Sequence, residues 1–590
     1  MSRAHQRSAK PLVALAVALA LAAGGRSAGS QVATPVPRDT VARDSLAAGA
    51  CAGEVVTGID VEPARPPFKG VAGMWRVAAR SVGLHHATTR SDVIAGLLQL
   101  EVGDRCTEFR RAESERVLRA QPYLASASVR AVPDSAGGVR LEVATVDEVP
   151  AIIAGRVRGA SPEAVTVGNG NIAGRGISVQ LSGERGHAYR DGFGIRLIDY
   201  AAFNASYVAS LEAERRTLGS LVSAGVSRPF YTDLQRIAWG ARFRNDRGYR
   251  RIIRPAGDPL ALGLTQLRWE AGGLYRRPLL GHVGAVGLAL TGVRDTPAQE
   301  GVLITESGFE PDTGVTLRGR YEPFRVVRPA ALAGMRVIRY VTVRGVNTLS
   351  ALEDLPNGLQ AGALVGRGIP AWGASDLFIA GSMYAGLATP RAWLALQFEV
   401  EGRRDFDVGR WNGLIASGRL AAYRKRSARR TSILSEELSG GAGPRLPLQL
   451  TLGDRRGGIR AYRGSRLSGA WRNVIRLEER WVLAAEPRRA NVGFAGFADV
   501  GTLWAGSAPY GRTIPLRGSV GAGVLAAFPA GSRRVLRLDF AVPVARDGHR
   551  RSEVRFTSSN PTRYFWQEPS DVSRARTGPV PSTLFTWPAR

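Results

Sequence analysis

The chain has 590 residues, 44% of them hydrophobic and 71 of them glycine, with 80 Lys and Arg against 50 Asp and Glu for a net charge of +30. Glycine at that level, among repeated short alternating segments, points to β structure with many turns and argues against helical bundles. The arginines are spread along those segments and no basic helix or aromatic stacking motif gathers them, so the charge gives no indication of nucleic acid as a partner.

Residues 1–29 read as a signal peptide: Arg3, Arg7 and Lys10 precede an apolar run from Pro11 to Ala23, and the small residues Ser27, Ala28 and Gly29 follow it. That run is too short for a spanning helix, and nothing later in the sequence is longer and equally apolar. An exported chain of this kind is either soluble or a membrane β-barrel, whose strands hide their apolar residues in alternation. Arginines facing a hydrated lumen, or acidic lipid headgroups at the rims, then account for the charge. Residues 30–50 are rich in Ala, Pro, Thr, Asp and Arg without periodicity and read as a flexible linker.

Residues 51–148 carry a β-α-α-β-β pattern. Val55 to Val61 alternates as a strand; Ser91 and Thr107 are N-caps for helices predicted to Leu100 and Ala120. Strands at Ala125–Val132 and Val139–Asp147 flank a turn of Asp134, Ser135, Gly137 and Gly138, and Val139, Leu141, Val143 and Thr145 share one face. In an exported chain Cys51 and Cys106 are expected to form a disulfide, with two free thiols as the alternative that sequence leaves open. The segments Leu97–Gly103 (LLQLEVG) with Asp104, Glu113–Leu118 leading to Gln121, Pro122, Tyr123 and Leu124, and Val143–Glu148 resemble a POTRA domain. The resemblance implies a chain-binding module whose hairpin edge accepts an extended client by β-augmentation; a simple spacer is the other reading.

Residues 149–566 change to strand after strand, with Trp239, Trp269, Tyr275, Tyr340, Trp372, Tyr384, Trp393, Trp411, Tyr423, Trp481 and Trp504 near strand ends, where membrane interfaces place them. Leu394, Leu396, Phe398 and Val400 oppose Gln397, Glu399 and Glu401; Leu536, Leu538, Phe540 and Val542 oppose Arg537 and Asp539. An arginine facing lipid at the midplane costs on the order of 2–4 kcal/mol, so the polar faces are expected to line a lumen. A soluble sandwich with the apolar face inside shows the same alternation. The last strand is read at Ser552–Trp566, and residues 567–590 form a tail whose place the sequence leaves open.

Four stretches specify the barrel further. They are Gly168–Gly176 (GNGNIAGRG), Ser227–Phe230 (SRPF), Gly457–Gly469 (GGIRAYRGSRLSG) and Phe497–Gly501 (FADVG), the last preceded by Leu477–Arg480 (LEER). Their order and spacing resemble the bacterial surface-antigen superfamily of BamA/TamA-like outer-membrane assembly barrels. The resemblance implies a mainly β chain with a transmembrane antiparallel barrel of about sixteen strands. It also implies a loop tip, Ile459, Arg460, Ala461 and Tyr462, inserted into the lumen, and a strand motif of Phe497, Asp499 and Gly501. Ala461 stands where the family has glycine, which matters if the backbone there needs a positive φ. Strand parity sets Glu478 and Asp499 on inward faces, so a buried Arg460 is expected to contact Asp499 with Glu478 nearby.

Nothing in the sequence points to catalysis. The glycines at 168, 170 and 174 lack dinucleotide-loop spacing, His85 and His86 cannot share one metal from one strand side, and no nucleophile elbow occurs. No cofactor or metal is expected and the chain is not expected to be an enzyme. The implied function is insertion or translocation of other proteins at the outer membrane, with the N-terminal domain in the periplasm. The implied partners are outer-membrane lipids and unfolded or extended client proteins, with the oligomeric state left open. The alternatives are a passive pore or structural barrel and a dedicated two-partner-type secretion transporter.

Overall fold

The computed structural model describes residues 51–66, 87–135, 137–158, 161–186, 190–202, 206–279, 282–305, 308–454, 456–483, 490–544, 552–559 and 568–576. The stretches read as a signal peptide and a linker, and the pair His85–His86, lie outside these.

The N-terminal part runs β1 (Ala52–Ala64), α1 (Ser91–Ala95), β2 (Arg105–Thr107), α2 (Glu108–Arg119), β3 (Leu124–Asp134) and β4 (Gly138–Asp147). The sheet order is β2-β1-β4-β3, with β1 parallel to β4 and β3 antiparallel to it. Val139, Leu141, Val143 and Thr145 of β4 are all buried, and Val129 and Val143 pack with Val93, Ile94, Leu97, Val117 and Leu118 of the helical layer. Cys51 and Cys106 form a disulfide with their Cα atoms 5.0 Å apart, fastening the start of the sheet to its short edge strand. Thr107 caps α2 through Oγ1, which accepts from the Arg110 N–H.

The first helix departs from expectation. It ends at Ala95, and Arg90, which makes no side-chain capping bond, occupies the N-cap assigned to Ser91. Leu97 and Leu100 reach the core by turning down from Gly96, and the Gln99 N–H is taken by Ser114 Oγ, which replaces the helical bond it would otherwise make.

The remaining strands close into a barrel. They begin with β5 (Ala151–Arg158), β6 (Ser161–Ile172), β7 (Ile177–Glu184), β8 (Gly192–Ala202), β9 (Tyr207–Arg216) and β10 (Gly219–Arg228). Longer strands follow: β11 (Ile237–Ile252), β12 (Leu260–Leu279), β13 (His282–Thr305), the four-residue β14 (Gly308–Pro311), β15 (Phe324–Arg344), β16 (Leu352–Arg367), β17 (Asp376–Ala388), β18 (Ala392–Asp405), β19 (Trp411–Ser427) and β20 (Arg430–Ala442). After a small hairpin of β21 (Leu450–Thr451) and β22 (Ser468–Gly469) come β23 (Trp471–Val482), β24 (Asn491–Trp504), β25 (Ile514–Ala527), β26 (Val535–Pro543) and β27 (Glu553–Ser559). Among the described residues the barrel has 20 staves, because β14 only pairs with the end of β13 while β13 also pairs with β15. That corrects the sixteen carried by resemblance. The difference lies in the connections: residues allotted to long loops are in strands, and tight turns at 217–218 and 428–429 join β9 to β10 and β19 to β20. The ring closes between β27 and β5.

The two faces of the wall differ as the alternation requires. Leu394, Phe398, Leu536, Leu538 and Phe540 point outward and are exposed, while Glu399, Glu401 and Asp539 are buried inside. An outer belt this apolar around a charged interior inverts the arrangement of a soluble protein and fits a surface covered by lipid. Trp239, Tyr275, Trp372, Trp411 and Trp481 lie on the outside. Trp393 and Tyr423 do not: they stack 5.1 Å apart in a buried cluster with Val343, Leu355 and Ile433, because their positions have lumenal parity.

The small domain is docked on the barrel through a shared apolar cluster, where Ile198, Ala201, Val208 and Tyr231 of the barrel join the domain core, and through polar contacts. Arg119 makes a paired contact with Asp354 at 2.7 and 3.0 Å, Glu113 accepts from Thr232, and Glu148 accepts from Ser532 at 2.5 Å. The Gly168–Gly176 motif forms the β6–β7 turn at this junction: Asn171 donates to Thr89 and the Arg90 N–H donates to the Gly174 carbonyl. Gly174 has φ +68°, and a Cβ there would sit 2.0 Å from the Thr88 oxygen, so both backbone conformation and close approach call for glycine.

Candidate functional site

Between β20 and β23 the chain folds back into the barrel. Asp454 starts the reversal, its carboxylate accepting from the Arg456 and Gly457 N–H groups, and Ile459 returns a backbone bond to Leu452. Leu452, Ile459 and Tyr462 then pack against Val474, Leu503 and Ile514 of the wall. These apolar contacts hold the loop tip where Arg460 meets the interior.

Arg460 is gripped from several directions. Its Nε and Nη2 donate to Asp499 at 2.7 and 2.6 Å, its backbone N–H donates to the same carboxylate at 3.1 Å, and Nη1 reaches Glu478 at 3.2 Å. The guanidinium lies 3.4 Å from the centroid of the Phe497 ring. Phe497 has room to lie flat because Gly521 faces it on β25, where an added Cβ would be 2.5 Å from the ring. Ala461 has φ +68° and its N–H donates to Glu553 at 2.8 Å, so the loop does adopt the left-handed conformation at the position without glycine. Tyr462 is buried beside them, and Gly501 is on the same inward face as Phe497 and Asp499.

The register explains the grouping: β23 and β24 pair Glu478 with Phe497 and Arg476 with Asp499, setting both carboxylates on the lumenal face one step apart. Three further participants escaped the sequence reading. Arg537 makes a two-pronged contact with Glu478 at 2.8 Å and also binds Asp539 at 2.7 Å; Asp539 stands 3.7 Å from Arg460; Glu553 caps Ala461. The alternation of β26 already showed Arg537 and Asp539 facing inward, and the missing step was β26 lying two strands from β24. Arg480 completes the cluster at 2.6 Å from Glu478. Three guanidiniums, Arg460, Arg480 and Arg537, thus interleave with three carboxylates, Glu478, Asp499 and Asp539.

Beside the cluster a cavity of about 180 Å³ is lined by Arg419, Arg456, Arg476 and Arg555 in addition to Arg460, Glu478, Arg480, Arg537 and Asp539. Among the described residues no cluster of His, Cys, Asp and Glu has the form of a metal site. What the arrangement does is lock a loop: it provides matched charges and a rigid fork.

Fold and site together define a closed β-barrel whose long loop is folded into its own lumen and fastened there by an arginine–carboxylate cluster, with a small α+β domain docked on it. No family model matches the chain, and no curated protein does. Among solved structures it is similar to BamA from Haemophilus ducreyi lacking POTRA domains 1–3, at 10% identity over 86% of this chain and 83% of that one, with a TM-score of 0.32. CdiB from Escherichia coli aligns at 11% identity over 86% and 75%, with a TM-score of 0.37, and the outer membrane protein opdK from Pseudomonas aeruginosa at 12% over 67% and 92%, with 0.27. The barrel architecture itself rests on the strand pairings of this chain.

Proposed function

We propose that this protein is a non-enzymatic outer-membrane barrel that inserts or translocates other proteins, with its small POTRA-like domain in the periplasm receiving extended client segments. The observation that carries the reading is the β3 edge. Among the described residues β3 has no strand neighbour on its outer side, and the domain is fixed to the barrel through Arg119–Asp354 and Glu148–Ser532. An unpaired edge is a template for a further strand. Its middle is guarded, since Arg111 donates to the Val129 carbonyl and Glu115 accepts from the Val129 N–H. A client strand would displace this fork.

The lumen, occupied by the loop 443–470, favours this reading over a passive pore. Quantitative proteomics of the outer membrane after depletion tests it: a broad fall in other barrels supports general assembly, and loss of one secreted product supports dedicated translocation. An unchanged outer membrane would favour a structural barrel. A photo-crosslinker at Ser128 or Arg130, on the accessible face of β3, is expected to trap client chains.

A further inference from the structure

Beyond β27, residues 568–576 lie inside the barrel, with α3 (Ser570–Ala575) at their centre. The Asp571 carboxylate accepts from both terminal nitrogens of the fully buried Arg472, at 2.5 and 3.2 Å, and from the Thr451 N–H at 3.3 Å. Val572 and Ala575 are buried against Ile415, Leu448 and Leu450. Glu568 accepts from Ser417 at 2.7 Å and pairs with Arg576 at 2.5 Å, and Arg576 in turn lies 3.5 Å from Glu401. From the far side of the ring, Arg250 of β11 and Arg268 of β12 each donate at 3.0 Å, to the carbonyls of Arg574 and Arg576. A segment of nine residues therefore touches both walls.

Three features mark this as a ligand in a binding site. A helix of six residues is not stable alone in water, so the wall imposes its shape. Its apolar contact is confined to Val572 and Ala575, leaving recognition to charges and backbone carbonyls. Arg472 is committed at a depth where a guanidinium without a carboxylate is costly, and besides Asp571 its carboxylate contact is Glu437 at 3.3 Å.

We propose that the barrel lumen contains a peptide-binding site, occupied in cis by residues 568–576, which closes the lumen. The site takes acidic peptide segments of the same chemistry, with carboxylates spaced as Glu568 and Asp571 are and a basic residue following. A polypeptide segment of that kind, entering the lumen, competes with the chain's own segment for Arg472 and the β11–β12 arginines. The inference rests on the barrel spanning a membrane, and not on what the barrel carries.

The test is single-channel recording of the purified full-length protein, of a chain ending at Gln567, and of D571R, in planar bilayers, with heat-modifiable gel migration reporting folding. The shortened chain and D571R are expected to show larger unitary conductance than the intact protein, and R472E combined with D571R is expected to restore the closed state. A synthetic peptide spanning residues 566–578 should block the shortened chain, and its Asp571→Lys form should block about thirtyfold or more weakly, as expected when one partner of a buried charge pair is lost. Equal conductance of intact and shortened proteins, a folded shortened barrel that stays closed, or block indifferent to Asp571 would overturn the proposal. If neither protein inserts nor migrates heat-modifiably, the membrane-barrel reading fails and takes the lumenal site with it.

Discussion

Replacing Arg460 by alanine isolates what fastens the loop. In the native cluster three guanidiniums face three carboxylates; Arg460→Ala leaves Glu478, Asp499 and Asp539 against Arg480 and Arg537 alone, with the Asp499 side chain fully buried. Removing one partner of a buried pair costs about 3–5 kcal/mol, and every 1.36 kcal/mol is a tenfold shift in an equilibrium. The barrel has no need to unfold to escape that cost, because the loop can leave the wall instead. The loss should therefore appear as loop opening, by roughly two to nearly four powers of ten. Hydrogen exchange of the Ala461 amide, which donates to Glu553 when the loop is docked, reads this opening directly. Arg460→Lys keeps the charge but forfeits the fork on Asp499 and should fall between wild type and alanine. Removing Arg460 and Asp499 together should cost less than the sum of the single changes. An alanine variant within about 1 kcal/mol of wild type, or strictly additive double substitution, would refute the view that this cluster holds the loop.

Four further outcomes follow from the same geometry. Ala461→Gly relieves a left-handed alanine and should stabilise the docked loop by about 0.5–1 kcal/mol, read as slower exchange of the neighbouring Arg460 amide. Gly174→Ala places a Cβ against the Thr88 carbonyl and should weaken the domain–barrel junction by at least about 1–2 kcal/mol, visible as faster exchange of the Arg90 amide that bonds to Gly174. Replacing Cys51 and Cys106 by serine should cost the small domain about 2–4 kcal/mol, checked by its melting temperature with and without reductant. Burial pushes the Glu148 carboxyl up from its ordinary value against the opposing charge of Arg534, and burial likewise raises Asp147 despite its bonds from Thr89. Groups with raised values favour the docked state when protonated, so the junction is firmest below the ordinary carboxylate range and loosens as pH rises through the raised values. Exchange corrected for intrinsic rate should show this, and Glu148→Gln should flatten the Glu148 share.

How much was legible depended on whether a feature is local or relational. Strand parity is local, and it put Asp499 and Glu478 on inward faces and Leu538 and Phe540 on outward ones before any neighbour was known. Arg460 and its two carboxylates came from motif order, and the structure brings them together at 2.6 to 3.2 Å. What stayed hidden needed pairing across the ring: Glu553 meets Ala461 only because β27 lies beside β26, and Arg472 meets Asp571 across 99 positions. The stave count failed for a related reason, since alternation marks a strand without saying where one ends and a tight turn begins. Trp393 and Tyr423 were misplaced because aromaticity was read without parity.

The number of staves sets what the interior must contain. A ring of about eight strands can be filled by side chains, and the bore widens roughly in proportion to strand number, so at 20 staves the wall's own residues cannot meet across the middle. The loop tip at Arg460 and the segment around Asp571 therefore serve as the barrel's core, assembled from pieces of chain rather than from facing side chains. Girth and filling are coupled: excising one hairpin from the wall would shrink the bore, leave no room for one of the two segments, and expel it.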